Sequence, residues 1–274
     1  MNTIKKLTVC GVDKRYITVY RLFSSDGFDC KYITDSPLSE AKNTDMLILP
    51  IPSFDREGSL YFTDITVYDL FSSLKSGTLI FAGKTPSIIK RIAEEYKMRL
   101  YDYTDNEEFN ILNAVSTAEG AILTILERTH NTILGSKFTI LGYGRIGRAL
   151  AVRLKALGGN VAVGARSSSA RATASSDGIT SLSVENAIEK GGGTVVINTV
   201  PAPIINNRNI NNIKGSLIID LASIPGGLTD DAKAIAGENF IHALSLPGKH
   251  FPETAGRTIY KTIKSILQQA GDTL

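Results

Sequence analysis

The sequence is short of the residues that metal and redox chemistry draw on. It has two cysteines, Cys10 and Cys30, with no CxxC pair and no Cys/His cluster, which excludes a four-ligand structural zinc site. Both thiols are expected to be reduced and structural, and no metal site is expected. Charge of one sign is missing too: 30 Lys+Arg against 27 Asp+Glu leave a net +3, with the basic residues scattered. That is not the footprint of a nucleic-acid-binding protein. No apolar run approaches the roughly 18 residues of a membrane span. Residues Met1 to Val12 offer two lysines and a strand-length apolar run rather than a leader, so a soluble cytoplasmic protein is expected. There is no internal repeat, and the nearest approach to low complexity, the Ser- and Ala-rich stretch Arg166 to Ser176, reads as a mobile surface loop.

What is present is an ordinary globular composition. Hydrophobic residues make up 43% and charged residues 21% of the 274 residues, which excludes disorder as the main state and suits two domains better than one. Short apolar runs bounded by turn residues (Leu7 to Gly11, Met46 to Pro50, Thr78 to Ala82) alternate with helix-like stretches, the pattern of a parallel sheet flanked by helices. A second such half begins at Lys137 and continues through Asn160 to Val163, Thr194 to Asn198 and Ser216 to Leu221. Between them, Ser116 as N-cap and Glu119 three residues on have the spacing of a capping box, so one long helix is expected over Asn113 to Leu134. Ile259, Ile263, Ile266 and Leu267 mark a last amphipathic helix over about 254–269. The expected fold is α/β: two Rossmann-like domains with parallel sheets, joined by a long helix and a returning C-terminal helix. Residues 1–112, completed by 253–274, are expected to form the substrate domain, and 113–252 the nucleotide-binding domain.

The most informative segment is Gly142-Tyr143-Gly144-Arg145-Ile146-Gly147, a G-x-G-x-x-G placed after an apolar strand and at the opening of a helix. Gly142 permits the tight turn, Gly144 lets the backbone approach a pyrophosphate, and Gly147 lets helix and strand pack; the helix N-terminus adds N–H groups. Where an NAD-specific protein places Asp or Glu after the second strand, this chain has Arg166, Ser167 and Ser168. A guanidinium and hydroxyls suit a 2′-phosphate, so NADP is the expected cofactor. Asn198-Thr199-Val200-Pro201 and Leu221-Ala222-Ser223 follow two later strands and are expected to frame the ribose and nicotinamide, with Ser223 nearer the substrate.

Several of these segments together resemble the A subunit of dipicolinate synthase, a sporulation enzyme of spore-forming bacteria. The resemblance rests on Gly11-Val-Asp-Lys-Arg15, Asn113 with Ser116-Thr-Ala-Glu-Gly120, the Gly142 to Gly147 turn and Val163-Gly-Ala-Arg-Ser-Ser168. It continues with Ile197-Asn-Thr-Val-Pro201, Asp220-Leu-Ala-Ser-Ile-Pro-Gly-Gly227, Leu246-Pro-Gly248 and Thr254-Ala-Gly256. It implies an NADP-linked enzyme that works with a flavoprotein-like B subunit in the mother-cell cytoplasm. The implied product is pyridine-2,6-dicarboxylate, made from 4-hydroxy-tetrahydrodipicolinate or its dehydrated dihydrodipicolinate form. Homo-oligomers of this chain are also expected. One departure is Ile224, which stands where the family pattern often carries Arg before the Pro.

A cyclic dicarboxylate needs cationic or N–H donors at two separated points. Arg15, in the first strand-to-helix turn, is the candidate for one carboxylate; Ser116 and Thr117 at the start of the linking helix are candidates for the other. Of the three histidines, His130 suits a helix C-terminus and His242 a strand, while His250 lies in what reads as an irregular loop and is the candidate for proton transfer. Lys249, Lys84 and Glu119 are further titratable candidates. Two other readings stay open: a different two-domain NADP-dependent dehydrogenase of 2-hydroxy, 2-oxo or amino acids, and a non-catalytic NADP-binding regulatory protein that serves a flavoprotein partner.

Overall fold

A computed structural model describes residues 4–34, 41–55, 57–192 and 195–271. The chain forms two compact units, Met1–Leu112 with Phe251–Leu274, and Asn113–His250.

The first unit holds β1 (Lys6–Cys10), α1 (Lys14–Ser25), β2 (Asp29–Ile33), β3 (Met46–Ile48), α2 (Val67–Ser73), β4 (Leu79–Ala82), α3 (Ser87–Glu95) and β5 (Arg99–Asp102). All strands are parallel, in the order β2-β1-β3-β4-β5. The central strands β3 and β4 are buried throughout, as parallel strands covered on both faces must be. The edge strand β2 alternates exposed and half-buried residues, which is why no apolar run marks it.

The helix α4 (Glu107–Arg128) runs from the first unit into the second. It starts six residues before the expected Asn113, because Asn106 Oδ1 accepts the Phe109 N–H at 2.9 Å and Glu107 and Glu108 favour the positive end of the helix. Ser116 is therefore not a cap but an interior residue, 4% exposed. By length and composition α4 passes as a membrane span, contrary to the sequence expectation; one of its faces (Ala118, Ala121, Ile125) is buried in the core of the second unit.

The second unit continues with β6 (Lys137–Leu141), α5 (Arg145–Ala156), β7 (Asn160–Gly164), α6 (Ser168–Ser176), β8 (Thr180–Leu182), α7 (Val184–Glu189) and β9 (Val195–Asn198). Then come β10 (Leu217–Asp220), α8 (Asp230–Ala236), β11 (Phe240–His242) and α9 (Leu246–His250). Its parallel sheet has the order β11-β10-β9-β6-β7-β8. Thr194, expected to open a strand, lies outside the described residues. The stretch expected to be a mobile loop is the helix α6, whose N-cap Ser167 accepts the Ala170 N–H at 3.2 Å and whose Ala174 is buried. The expected irregular loop at Leu246–His250 is likewise the short helix α9.

α10 (Pro252–Gln269) returns to the first unit and packs along α1. Ile259, Ile263 and Leu267 are at most 1% exposed and join Val9, Val19 and Phe23 in one cluster, each worth about 1.5–3 kcal/mol of burial. Close approach depends on Gly256: a Cβ there would lie 2.5 Å from the Arg15 carbonyl oxygen and 2.7 Å from Thr18 Cβ. Two parallel sheets flanked by helices, a Rossmann-like α/β fold, is the architecture the sequence led us to expect.

Candidate functional site

In the second unit the strand order reverses between β6 and β9, and in open parallel sheets ligands bind beyond the carboxyl ends of the strands at such a point. The glycine turn leaves β6 there. Gly142 has φ +97°, and a Cβ on it would run into Thr199 Oγ1. A Cβ on Gly147 would run into the carbonyl oxygen of Gly142, whereas one on Gly144 would meet nothing within 4 Å. The outer two glycines thus serve packing, and the middle one faces open space. α5 begins behind Gly144 with no side-chain cap, the kind of helix N-terminus that suits an anion. Thr199 ties β9 to β6, its N–H and hydroxyl both donating to Leu141 O at 2.8 and 2.9 Å.

Tyr143 faces away from this opening. Its ring is buried and its hydroxyl donates to Asp177 Oδ2 at 2.7 Å, where Arg148 Nε also donates at 2.9 Å. The side chain braces α5 against the end of α6, so any contact with a dinucleotide falls to the Tyr143 main chain. Burial, with the Asp177 bond second, pushes the Tyr143 hydroxyl well up. At the carboxyl end of β7, Arg166 is exposed, and the Ala165 and Arg166 carbonyls accept from Arg171 Nη1 at 2.9 and 2.7 Å. Ser167 caps α6, and Ser168 is its first, exposed residue. One exposed cation, two hydroxyls and a helix N-terminus therefore meet in one loop. Arg145 is exposed and Ile146 half-buried in the first turn of α5.

Beyond β9 and β10 the loops are joined by a buried pair. Asn198 Nδ2 donates to Asp220 Oδ1 at 2.7 Å and to Val200 O at 2.9 Å, and Asn198 Oδ1 accepts the Val200 N–H at 3.1 Å. Asp220 also takes the Ala222 N–H at 3.0 Å and the Gly227 N–H at 2.6 Å. Asn198, expected to touch the cofactor, spends its side chain on this network. Leu221 and Ala222 bury their side chains, while Pro201 and Ser223 are exposed and Thr199 and Val200 are half-buried. Asp220 and Gly227 carry the arrangement; a Cβ on Gly227 would run into the Asn198 amide. His242 stands in β11 with Nε2 2.8 Å from Ala222 O.

The substrate candidates fall in different settings. In the first unit, Arg15 is nearly buried and its Nε and Nη2 donate to Asp13 Oδ2 at 3.1 and 2.8 Å. Beneath it the Tyr16 and Tyr103 hydroxyls meet at 2.9 Å, and the Tyr103 hydroxyl lies 3.0 Å from Leu49 O. Burial pushes Tyr16 up to about 12 and Tyr103 well above its ordinary value. In the second unit, Ser116, Thr117 and Glu119 sit inside α4 rather than at its start. Thr117 Oγ1 donates to Asn113 O at 2.8 Å, and Glu119 accepts from Arg153 Nε at 3.3 Å, so the expected carboxylate site at a helix N-terminus does not exist there. His250 is half-buried at the end of α9, and His130 is exposed just after α4.

Residues 6–104 match the family model for the N-terminal domain of the dipicolinate synthase A subunit, and residues 132–219 that of the acetohydroxy acid isomeroreductase NADPH-binding domain. The A subunit of dipicolinate synthase from Bacillus subtilis (strain 168) is 29% identical over 290 residues, 98% of each chain. The crystal structure of the Bacillus halodurans A subunit shares 25% identity and a TM-score of 0.84 over 97% of this chain and 99% of that one. The crystal structure of the Bacillus subtilis A subunit gives 28% and 0.82 over 99% of both. Likeness in sequence and in backbone to dipicolinate synthase A subunits thus runs from end to end of the chain, through a Rossmann unit of the NAD(P)-binding kind.

Proposed function

We propose that the chain is the NADP-linked dehydrogenase component that forms pyridine-2,6-dicarboxylate, working with a flavoprotein-like B subunit in the cytoplasm of the sporulating mother cell. The observation that carries this reading is the turn after β6. Gly142 and Gly147 have no room for a side chain, Gly144 opens outward, and Arg166 stands exposed at the end of β7 with no carboxylate on it among the described residues. These residues fit a dinucleotide with a 2′-phosphate: the first N–H groups of α5 would hold the pyrophosphate, and Arg166 with Ser167 and Ser168 the extra phosphate.

The substrate, 4-hydroxy-tetrahydrodipicolinate, loses water to become dihydrodipicolinate, which then loses a hydride and a proton to become aromatic. Bound NADP+ supplies the acceptor for that hydride. The protein's share is alignment and charge neutralisation. Arg15, its Nε and Nη2 already held by Asp13, keeps Nη1 for a carboxylate; Ser223 and His250 are the hydroxyl and imidazole that would move protons. Homo-oligomers of the chain belong to the same proposal.

The test is the absorbance of NADPH on mixing the purified chain with NADP+ and freshly made 4-hydroxy-tetrahydrodipicolinate, with and without the B subunit. Reduction is expected at least when B is present. NADP binding without reduction in either mixture would overturn the catalytic reading and favour a regulatory role.

A further inference from the structure

The loop between β4 and α3 in the first unit is held in a conformation its sequence disfavours. Lys84 has φ +54°, a left-handed backbone that side chains other than Gly enter at a cost. Lys97 and Ser245 also have positive φ, but Lys97 simply closes α3, its N–H donating to Glu94 O at 3.0 Å, an ordinary helix ending. Ser245 introduces α9, its carbonyl accepting the Lys249 N–H at 3.0 Å. Lys84 ends no helix and lies at the carboxyl edge of the sheet, where parallel sheets take their ligands.

The surroundings impose this conformation. Three successive N–H groups donate to side chains from two other segments: Gly83 to Ser53 Oγ at 2.8 Å, Lys84 to Thr104 Oγ1 at 3.1 Å, and Thr85 to Asp102 Oδ2 at 2.6 Å. Each support is itself anchored. Ser53 donates to Pro50 O at 2.5 Å, and Asp102 Oδ1 takes both the N–H and the hydroxyl of Thr104, at 2.8 and 2.5 Å. Both Asp102 oxygens are thus committed to the scaffold. A glycine at position 84 would adopt the same backbone without penalty; what lysine adds there is a cationic side chain, on an exposed residue. Strain that neighbouring groups over-determine is typical of functional loops.

A second observation points to a ligand. Thr85 Oγ1 is buried and is the one such side-chain oxygen or nitrogen without a hydrogen-bond partner among the described residues. Buried polar atoms normally have one. An ammonium and an unspent hydroxyl on adjacent residues of a rigid loop suit a carboxylate. We infer that Lys84 and Thr85 form an anion subsite of the first unit that binds one carboxylate of the substrate. This rests on the dicarboxylate reading given above, and it assigns the loop a role in substrate specificity that is separate from Arg15.

The test titrates the full chain with pyridine-2,6-dicarboxylate by calorimetry and with NADPH by fluorescence, and records melting curves, for wild type, Lys84→Gly, Lys84→Arg and Thr85→Val. Lys84→Gly is expected to melt at an equal or higher temperature yet lose at least tenfold in dicarboxylate affinity. Lys84→Arg should recover part of that loss, Thr85→Val should lose several-fold, and NADPH affinity should stay unchanged throughout. Dicarboxylate affinity within twofold of wild type in a folded Lys84→Gly protein would overturn the subsite and leave the dehydrogenase reading standing. A lower melting temperature for that variant would overturn the strain argument. A wild-type chain that binds NADPH but no dicarboxylate would overturn the dicarboxylate reading, and the subsite with it.

Discussion

The side-chain amide of Asn198 donates to the carboxylate of Asp220 at 2.7 Å, with both residues fully buried. Two loops that leave different strands are joined there into one piece. Truncation of Asp220 to Ala strands the Ala222 and Gly227 N–H groups together and leaves the Asn198 amide only its bonds to Val200. Stability is expected to fall by more than about 2 kcal/mol, read as a shifted midpoint in urea, with dinucleotide binding falling alongside. A loss of under half of that would show that the loops hold without the pair.

Gly144 and Gly147 answer differently to alanine. At Gly144 the new methyl meets open space, so the melting temperature is expected to hold, with a stability change within about 0.5 kcal/mol, while NADPH affinity drops at least tenfold because the pyrophosphate approach is blocked. Gly147→Ala drives its Cβ into the Gly142 carbonyl and is expected to lose both stability and binding. Equal behaviour of the two variants in fluorescence titration and melting would contradict this division of roles.

On the function proposed above, Arg166 would set the choice of nucleotide. Arg166→Ala is expected to weaken NADPH binding roughly 10- to 100-fold, the value of a charge-assisted contact, and to leave NADH binding as it is. A parallel loss for both nucleotides would remove Arg166 from 2′-phosphate recognition.

Acid should loosen the seam between α1 and α10. Asp26, which caps α1, accepts from Lys264 Nζ at 2.8 Å and from the Tyr260 hydroxyl at 2.6 Å, and Lys264 first, then Tyr260, hold its carboxyl below the ordinary range. A depressed folded value contributes stability that is complete above the unfolded value of about 3.9 and is lost as pH falls through the lower folded one. The groups are about a third exposed, so the contribution is under about 1 kcal/mol. The gap in unfolding free energy between wild type and Asp26→Asn should be open at pH 7 and close toward pH 3. A gap that does not change with pH would refute the assignment.

Much of this was legible in the sequence because burial on both faces writes continuous apolar runs, as in β3 and β4, and because the Gly142–Gly147 spacing is dictated by packing. Edge strands such as β2 wrote no run, since half of each faces solvent. The capping-box spacing at Ser116 and Glu119 misled because the same spacing puts two residues one turn apart inside any helix; the true start at Glu107 is marked by Asn106. The supports of Lys84 and the brace from Tyr143 to Asp177 left no local trace. Each joins residues that are neighbours only after folding, 20 apart for Lys84 and Thr104 and 34 for Tyr143 and Asp177.

The return of α10 to the first unit has a consequence for biosynthesis. The Ile259, Ile263 and Leu267 side chains that cover Val19 and Phe23 leave the ribosome only after residues 113–250 have been made. The second unit is continuous in sequence and can close as soon as it emerges, whereas the first, although begun earlier, must wait for α10 with part of its apolar face uncovered. The half of the molecule translated first is thus the half completed last, and a nascent chain stalled before Pro252 would expose a surface that invites aggregation or a chaperone.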